Sequence, residues 1–466
     1  MKFGGTSLED AKAILRTATI VQGRRERGMK PIVVVSAMAK VTDLLLAAGR
    51  AAGRGDKKGA LMIAARLRNR HIETTSDMMC GEIFTEVEEA LQRGFDLLDD
   101  LLRGIAAVGE LTPRTSDNVL SFGERFSSRM VAGAFAQHGL RGVRVDSREC
   151  IVTDNHFGKA APQDAAIEAK LEEIVLPLVE AGDTPVMGGF IGATADGITT
   201  TLGRGGSDFT AALVGGALHA EAIEIWTDVN GIMTTDPRIC PDALRVKTIS
   251  FEEAAELAYF GAKVLHPATI LPAVQKSIPV WVLNSRNPGN EGTKITAMAP
   301  PCASPFKSIA AKKRLTIIDI VASRMLMTHG YLKSVFDVFD RYHCAIDMVS
   351  TSEVSISLSV DSNERLPEIC EDLSRIADVK MEGHKALICL VGEDIRGRSG
   401  MSGRVFSAIK HINVRMISQG ASEINMSFMI EESDVEEAIR SLHAEFFVDP
   451  DPTVFDTEAR VVAAKA

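Results

Sequence analysis

Pro31-Ile32-Val33-Val34-Val35-Ser36 is an aliphatic run without polar alternation. Such a run reads as a strand buried on both faces, the kind found in parallel sheets covered by helices. Thr184-Pro185-Val186-Met187-Gly188-Gly189-Phe190, Ala222-Ile223-Glu224-Ile225-Trp226-Thr227 and Ile278-Pro279-Val280-Trp281-Val282-Leu283 share that texture. Amphipathic stretches separate them. In residues 8–28, for example, Leu8, Ala11, Leu15 and Ala18 recur at helical spacing and Gly28 closes the run. This alternation predicts an α/β fold with a mainly parallel central sheet sandwiched by helices. Ligands of such sheets sit beyond the carboxyl ends of the strands, where this chain places its glycine- and hydroxyl-rich segments.

The chain opens Met1-Lys2-Phe3-Gly4-Gly5-Thr6-Ser7. Paired glycines let a backbone approach a ligand closely, and Ser7 stands where a following helix would be capped. A lysine beside a helix N-terminus makes a site for an anion, most naturally a phosphate. An ordinary glycine turn with a solvated lysine is the alternative. Further stretches bear on the choice: Ser36-Ala37-Met38-Ala39-Lys40-Val41-Thr42, Ser121-Phe122-Gly123-Glu124, Gly203-Arg204-Gly205-Gly206-Ser207-Asp208 opening a helix at Phe209, and Trp226-Thr227-Asp228-Val229. Each alone is weak. Together, two glycine-hydroxyl helix starts with Lys2, Arg204 and Asp208 make a site able to hold a polyphosphate and a carboxylate. Neither GxxxxGK[ST] nor GxGxxG occurs, so the commonest phosphate clamps are absent.

The 466 residues suggest roughly two to four domains at about 150 each. A formal net charge of −10 leaves no basic surplus for nucleic acid. Cysteines at 80, 150, 240, 302, 344, 370 and 389 are scattered without a CxxC pair. That pattern argues against a disulfide framework and against a zinc site, and fits a reducing cytoplasm; no metal ligands are assigned. No charged leader precedes an apolar run, and no stretch reaches the roughly 18 apolar residues of a membrane span.

Texture changes around 287–305, with Asn287-Pro288-Gly289-Asn290 and Ala299-Pro300-Pro301 marking a boundary. Beyond it the chain repeats itself. Gly330, Val335-Phe336 and Ser352-Glu353-Val354-Ser355-Ile356-Ser357-Leu358 are echoed by Gly400, Val405-Phe406 and Ser422-Glu423-Ile424-Asn425-Met426-Ser427-Phe428. Two copies of a strand-helix-strand-strand unit that stack on one another are expected. Two small domains that share only their patterning are the alternative.

At this point the sequence resembles aspartate kinases. The likeness rests on Lys2-Phe3-Gly4-Gly5-Thr6-Ser7, on Thr200-Thr201-Leu202 leading into Gly203–Asp208, on Trp226–Gly231 with Thr234-Thr235-Asp236-Pro237-Arg238, and on Phe260-Gly261-Ala262-Lys263-Val264-Leu265-His266-Pro267. It spans nearly the whole chain. The resemblance implies an amino-acid kinase domain over 1–295. It implies a first ferredoxin-like ACT domain over 315–384, a second built from 306–314 and 385–450, and a tail over 451–466. The implied reaction moves the γ-phosphoryl of ATP, with Mg²⁺, to the side-chain carboxylate of L-aspartate. Its product is 4-phospho-L-aspartate, the first intermediate toward lysine, threonine, methionine and diaminopimelate.

Residue by residue, the resemblance assigns catalysis to Lys2, Asp208 and Lys263. It assigns aspartate to Thr42, Glu124, Phe190, Arg204 and Ser207, with Arg204 suited to a bidentate grip on the α-carboxylate. ATP falls to Lys2, Gly4, Gly5, Thr6, Ser7, Thr227, Asp228, Met233, Arg238 and Lys263. Only Met1 precedes Lys2, so the strand carrying the lysine is expected to be short or to begin upstream. Phe122 and Met233 stand where many relatives carry a histidine and an aromatic residue.

The C-terminal half is similar to that of lysine-inhibited, single-function aspartate kinases. That likeness implies an L-lysine site made by Met325, Thr328, Tyr331, Leu332, Ala345, Ile346, Asp347, Thr351, Ser352 and Glu353, with Asp347 and Glu353 meeting the cationic amine. Threonine or a lysine precursor is the alternative effector. The implied assembly is a homodimer through the ACT units, with a tetramer as the alternative. Another amino-acid or carbamate kinase of the same fold, and a catalytically dead amino-acid sensor, are the competing readings.

Overall fold

The computed structural model describes residues 1–260, 267–302, 304–321, 329–363 and 365–457. Two compact units divide the chain, one of Met1–Ile232 with Val264–Met298, the other of Met233–Lys263 with Ala299–Ala466.

In the first unit, strand β1 (Lys2–Phe3) precedes helix α1 (Ala11–Glu26), β2 (Val33–Val35), the helices α2 (Val41–Gly53), α3 (Lys57–Ser76), α4 (Gly81–Val108) and α5 (Pro113–Gln137), and β3 (Gly142–Val145). Strands β4 (Thr184–Gly188), β5 (Ile223–Thr227), β6 (Val280–Asn284) and β7 (Thr293–Thr296) complete its sheet, with α6 (Gly206–Ala217) between β4 and β5. The spatial order is β3-β4-β2-β1-β5-β6-β7. Every pairing is parallel except β6 with β7. Although β1 has only two residues, it is paired on both sides, Lys2 opposite Val34 and Ile225. The buried run Val33-Val34-Val35 is what the unalternated sequence requires.

Ser7 does not cap α1. Gly5–Leu8 form a 3₁₀ turn, and Asp10 takes the capping position, its carboxylate accepting from the Ala13 N–H at 2.8 Å. The cause lies in packing: the Ser7 side chain is fully buried, 2.7 Å from the Ser285 hydroxyl, whereas Asp10 is exposed and free to turn back on the helix. The helix expected to open at Phe209 begins instead at Gly206.

Helices α2 to α5 share an apolar core with α1. Phe95 of α4 stacks on Phe126 of α5 at 4.1 Å, and the ring of buried His71 meets both edge-on. Burial pulls the His71 imidazole down to about 4. Gly123 lets α5 approach the segment after β2, since a Cβ there would lie 2.8 Å from the Ala37 methyl.

The second unit holds α7 (Phe251–Tyr259), β8 (Ser308–Val321), α8 (Tyr331–Arg341), β9 (Ile346–Thr351), β10 (Ser355–Asp361), α9 (Leu366–Ser374), β11 (Asp378–Val391), α10 (Met401–Ala408), β12 (Met416–Gln419), β13 (Asn425–Glu431) and α11 (Val435–Phe446). One sheet runs β9-β10-β8-β11-β13-β12. Its long central strands β8 and β11 pair antiparallel along their length, and each serves both repeats. Residues Leu315–Val321 of β8 pair with β10, while Lys385–Val391 of β11 pair with β13. Gly330 and Gly400 open α8 and α10 at φ 81° and 80°, a conformation that glycine adopts without steric cost.

Residues 233–263 belong to this unit through specific contacts. The Ile309 N–H donates to the Thr234 carbonyl, Val246 bridges Phe455, and the Asn425 amide donates to Glu256. Most telling is Lys307, 1% exposed, whose ammonium lies 2.9 Å from the carboxylate of Glu253, 3% exposed. Glu253 also closes a capping box with Ser250 at the start of α7. Removing one partner of such a buried pair costs about 3–5 kcal/mol because the other charge is left unpaired. Glu253→Ala is therefore expected to lower the stability of the second unit by that amount in urea denaturation; a loss below about 1 kcal/mol would contradict this.

Candidate functional site

The carboxyl ends of β1, β2 and β4 open on a cleft of about 390 Å³. Lys2, Gly5, Thr42, Glu124, Phe190, Arg204, Ser207 and Asp208 line it, brought together from five stretches of the sequence. Ser36–Lys40, Asp43, Gly203, Gly205 and Gly206 complete the lining.

Lys2 stands at the floor because β1 is central in the sheet. Its ammonium lies 2.7 Å from Asp208 Oδ1, with both side chains largely buried. Asp208 sits in the first turn of α6, where a carboxylate complements the helix dipole. The Gly4 N–H donates to the Trp226 carbonyl at 3.1 Å, and the Ala39 N–H to the Gly5 carbonyl at 3.1 Å. These bonds bind the turn after β1 to its neighbours on both sides. Gly5 has no room for a Cβ, which would lie 3.0 Å from the Ala37 carbonyl oxygen.

Glu124 projects from α5 with 3% exposure. Its Oε1 accepts from the Ala37 N–H at 3.0 Å, while Oε2 is buried without a partner. Burial raises this carboxyl to about 8, outweighing the Ala37 hydrogen bond and the charge of Lys2. A buried acceptor aimed into a cleft awaits a donor. Opposite in character is Arg204, which is exposed at the turn opening α6 and donates to no side chain or backbone group among the described residues. Two non-glycine residues bordering the cleft are held at positive φ, Lys40 and Phe190, both at 67°. Such strain persists only where the surroundings impose it. Packing is tight around Phe190, since a Cβ on Gly189 would collide with Ser207 and one on Gly206 with the Phe190 ring.

Other expected residues fall elsewhere. Thr6 is half-buried near the cleft, and the Ser7 hydroxyl is committed to Ser285. Thr227 ends β5 and donates to the exposed Asp228 carboxylate at 3.2 Å. Met233 and Arg238 lie in the second unit, Met233 bridged to Arg245 and Arg238 exposed against Asp236. Lys263, Met325 and Thr328 lie outside the described residues. Of the expected effector site, Leu332, Ala345, Thr351, Ser352 and Glu353 are exposed, Ile346 is half-buried, and the Tyr331 hydroxyl is buried without a partner. Asp347 is not open. Its carboxylate, 3% exposed, accepts from Lys312 at 2.7 and 2.9 Å, and Lys312 lies 5.7 Å over the Tyr259 ring.

Lys40 and Lys312 were missed. Lys40 could have been found as the cation within Ser36–Thr42; Lys312 carries no local signal, because its partner is 35 residues away. No group of three or more metal-binding side chains is gathered among the described residues, and no described helix is long and apolar enough to cross a membrane.

Comparison with known proteins places this geometry. The sequence profile of the Amino acid kinase family matches residues 1–284, and that of an ACT domain matches 388–446. Aspartokinase 1, chloroplastic, of Arabidopsis thaliana is 37% identical over 97% of this chain and 80% of its own. Lysine-sensitive aspartokinase 3 of Escherichia coli is 35% identical over 96% and 98%. The crystal structure of E. coli aspartokinase III with aspartate and ADP superimposes with a TM-score of 0.82 at 34% identity, covering 96% of this chain and 99% of that one.

The state of Glu124 has a measurable consequence. Folded, it keeps its proton to about pH 8, whereas an exposed carboxyl releases it near 4.5. The stabilisation is complete below the lower value and is lost as pH rises through the higher one. Urea midpoints of the ligand-free protein should fall across this window, and Glu124→Gln should flatten the fall. An unchanged slope in that variant would contradict the assignment.

Proposed function

Because the chain belongs to the amino acid kinase family and is an aspartate kinase, we propose that the cleft around Lys2 binds L-aspartate and presents its side-chain carboxylate to ATP. The single observation carrying this reading is the pairing of an unpartnered buried carboxylate, Glu124 Oε2, with an unengaged guanidinium, Arg204, in one cleft. An α-amino acid offers the complements of both. Its ammonium suits Glu124, its α-carboxylate suits the planar fork of Arg204, and Thr42 and Ser207 supply hydroxyls beside them. E. coli aspartokinase III holds aspartate and ADP in its crystal structure.

The nucleotide phosphates take the turn after β1, where Gly4, Gly5 and Thr6 offer close backbone approach. Thr227 and Asp228, at the end of the neighbouring β5, contact the nucleoside. Roles for Met233, Arg238 and Lys263 rest on the resemblance alone. The acceptor carboxylate is ionised at neutral pH, so the reaction needs no general base. Lys2, held by Asp208, neutralises charge on the transferring group, and the cleft walls hold the acceptor in line. Mg²⁺ would accompany the nucleotide's phosphates and shield their charge.

Feedback control by L-lysine belongs to the second unit. E. coli aspartokinase III has also been crystallised with lysine and aspartate. In this chain the Lys312 ammonium already occupies Asp347, so an effector amine binds there by taking its place, with Glu353 exposed nearby in sequence for a second contact. Leu332, Phe336, Val349 and Val354 leave apolar side chains exposed on this unit, which supports a dimer through it. Seven free cysteines suit a reducing cytoplasm.

Turnover is read by trapping 4-phospho-L-aspartate as its hydroxamate. Lys2→Met should lower it about 100-fold or more with the fold intact; undiminished turnover would refute the reading. In the same assay, Asp347→Asn should weaken inhibition by lysine about tenfold or more, and unaltered inhibition would remove Asp347 from the effector site.

A further inference from the structure

Asp117 lies on α5, two turns before Glu124, so the two carboxylates share a face of the helix. It does not line the cleft. It is 1% exposed, and its acceptors are fully engaged by two segments distant in sequence. Oδ2 accepts from the N–H groups of Gly158 and Thr201, each at 2.9 Å, and Oδ1 accepts from the Thr201 hydroxyl at 2.8 Å. The two segments are also fastened to each other, the Ala160 N–H donating to the Thr201 carbonyl at 2.9 Å. Gly203 leaves no slack between them, since a Cβ there would lie 3.1 Å from the Gly158 carbonyl oxygen. Two residues after Thr201 the chain enters Gly203-Arg204-Gly205-Gly206-Ser207-Asp208.

We propose that Asp117 is a positioning residue for the amino-acid substrate, fixing the turn that carries Arg204 at a set distance from Glu124. The proposal rests on the reading that Arg204 and Glu124 grip the two α-substituents of L-aspartate. One rigid helix sets both walls: Glu124 holds the segment after β2 through the Ala37 N–H, and Asp117 holds the opposite segment through Thr201. Arg204 makes no hydrogen bond or ion pair of its own among the described residues, so its backbone is placed by its flanks: Thr201 on one side and the start of α6 at Gly206 on the other. The nucleotide's phosphates are held by the turn after β1, which Asp117 does not touch. Asp208, further along the same turn, is held separately by Lys2 and by the first turn of α6, so loss of this anchor acts first on Arg204 and the amino-acid side of the site.

Asparagine preserves the arrangement. Its amide oxygen accepts from the same two N–H groups, and its NH₂ donates to the Thr201 hydroxyl oxygen. Alanine abolishes all three bonds. Steady-state kinetics with both substrates varied should show the Michaelis constant for L-aspartate raised about tenfold or more in Asp117→Ala, with that for ATP within about twofold of the parent. Asp117→Asn should stay within about threefold for both. Thr201→Val, which deletes only the hydroxyl, should shift the aspartate constant in the same direction and covers the case in which Asp117→Ala does not fold. The proposal is overturned by an unchanged aspartate constant in either Asp117→Ala or Thr201→Val, by a parallel rise in both constants, or by Asp117→Asn behaving as alanine does. Arg204→Ala in the same assay separates the two layers. If it leaves the aspartate constant untouched, the underlying grip is wrong; if it raises that constant while Asp117→Ala does not, only the positioning role fails.

Discussion

The ammonium of Lys2 and the carboxylate of Asp208, 2.7 Å apart and largely buried, tie the shortest strand of the sheet to the first turn of α6. Each partner offsets the desolvation of the other, since removing one would leave its counterpart in a largely buried place without a compensating charge. Their pairing lets a cation stand at the carboxyl end of a parallel sheet, where ligands of such sheets bind. Around this pair the cleft is made by close approaches that only small residues allow. Gly5 fits under the Ala37 carbonyl, Gly123 against the Ala37 methyl, and Gly189 against Ser207. The glycines draw α5, α6 and the turn after β1 together, and Glu124 is buried as a result.

Burial then decides the chemistry of the amino-acid side. A carboxyl raised to about 8 with one oxygen unpartnered is a poor resting state and a good receptor, because an incoming ammonium supplies the charge that the interior lacks. Arg204 is the reverse case, exposed and unengaged, able to fold over a carboxylate at little desolvation cost. The same logic governs the regulatory half. There Asp347 is buried but already satisfied by Lys312, so any amine that binds it must first displace that internal pair.

Much of this was legible in the sequence. Val33-Val34-Val35 could only be an interior strand, and the Gly-Arg-Gly-Gly-Ser-Asp run announced a helix start with charge beside it. Gly330 and Gly400 marked equivalent positions of two repeats. What escaped has a common cause: it depends on partners far apart in the chain. Ser7 has the right residue type for a cap, yet the neighbouring Ser285 claims its hydroxyl and Asp10 caps instead. Asp117 lies in an unremarkable Thr-Ser-Asp-Asn run, and its partners stand 41 and 84 residues away. The contacts of residues 233–263 are equally silent in the sequence, since Glu253 pairs with Lys307 and the Thr234 carbonyl accepts from Ile309, both distant along the chain.

The central claim is that a proton-bearing Glu124 receives the ammonium of L-aspartate. Isothermal titration of L-aspartate at pH 7, repeated in buffers of different ionisation enthalpy, counts the protons exchanged on binding. Release of about one proton per site is expected, since the bound ammonium turns the neutral carboxyl into a carboxylate. Binding with no proton release would contradict the account.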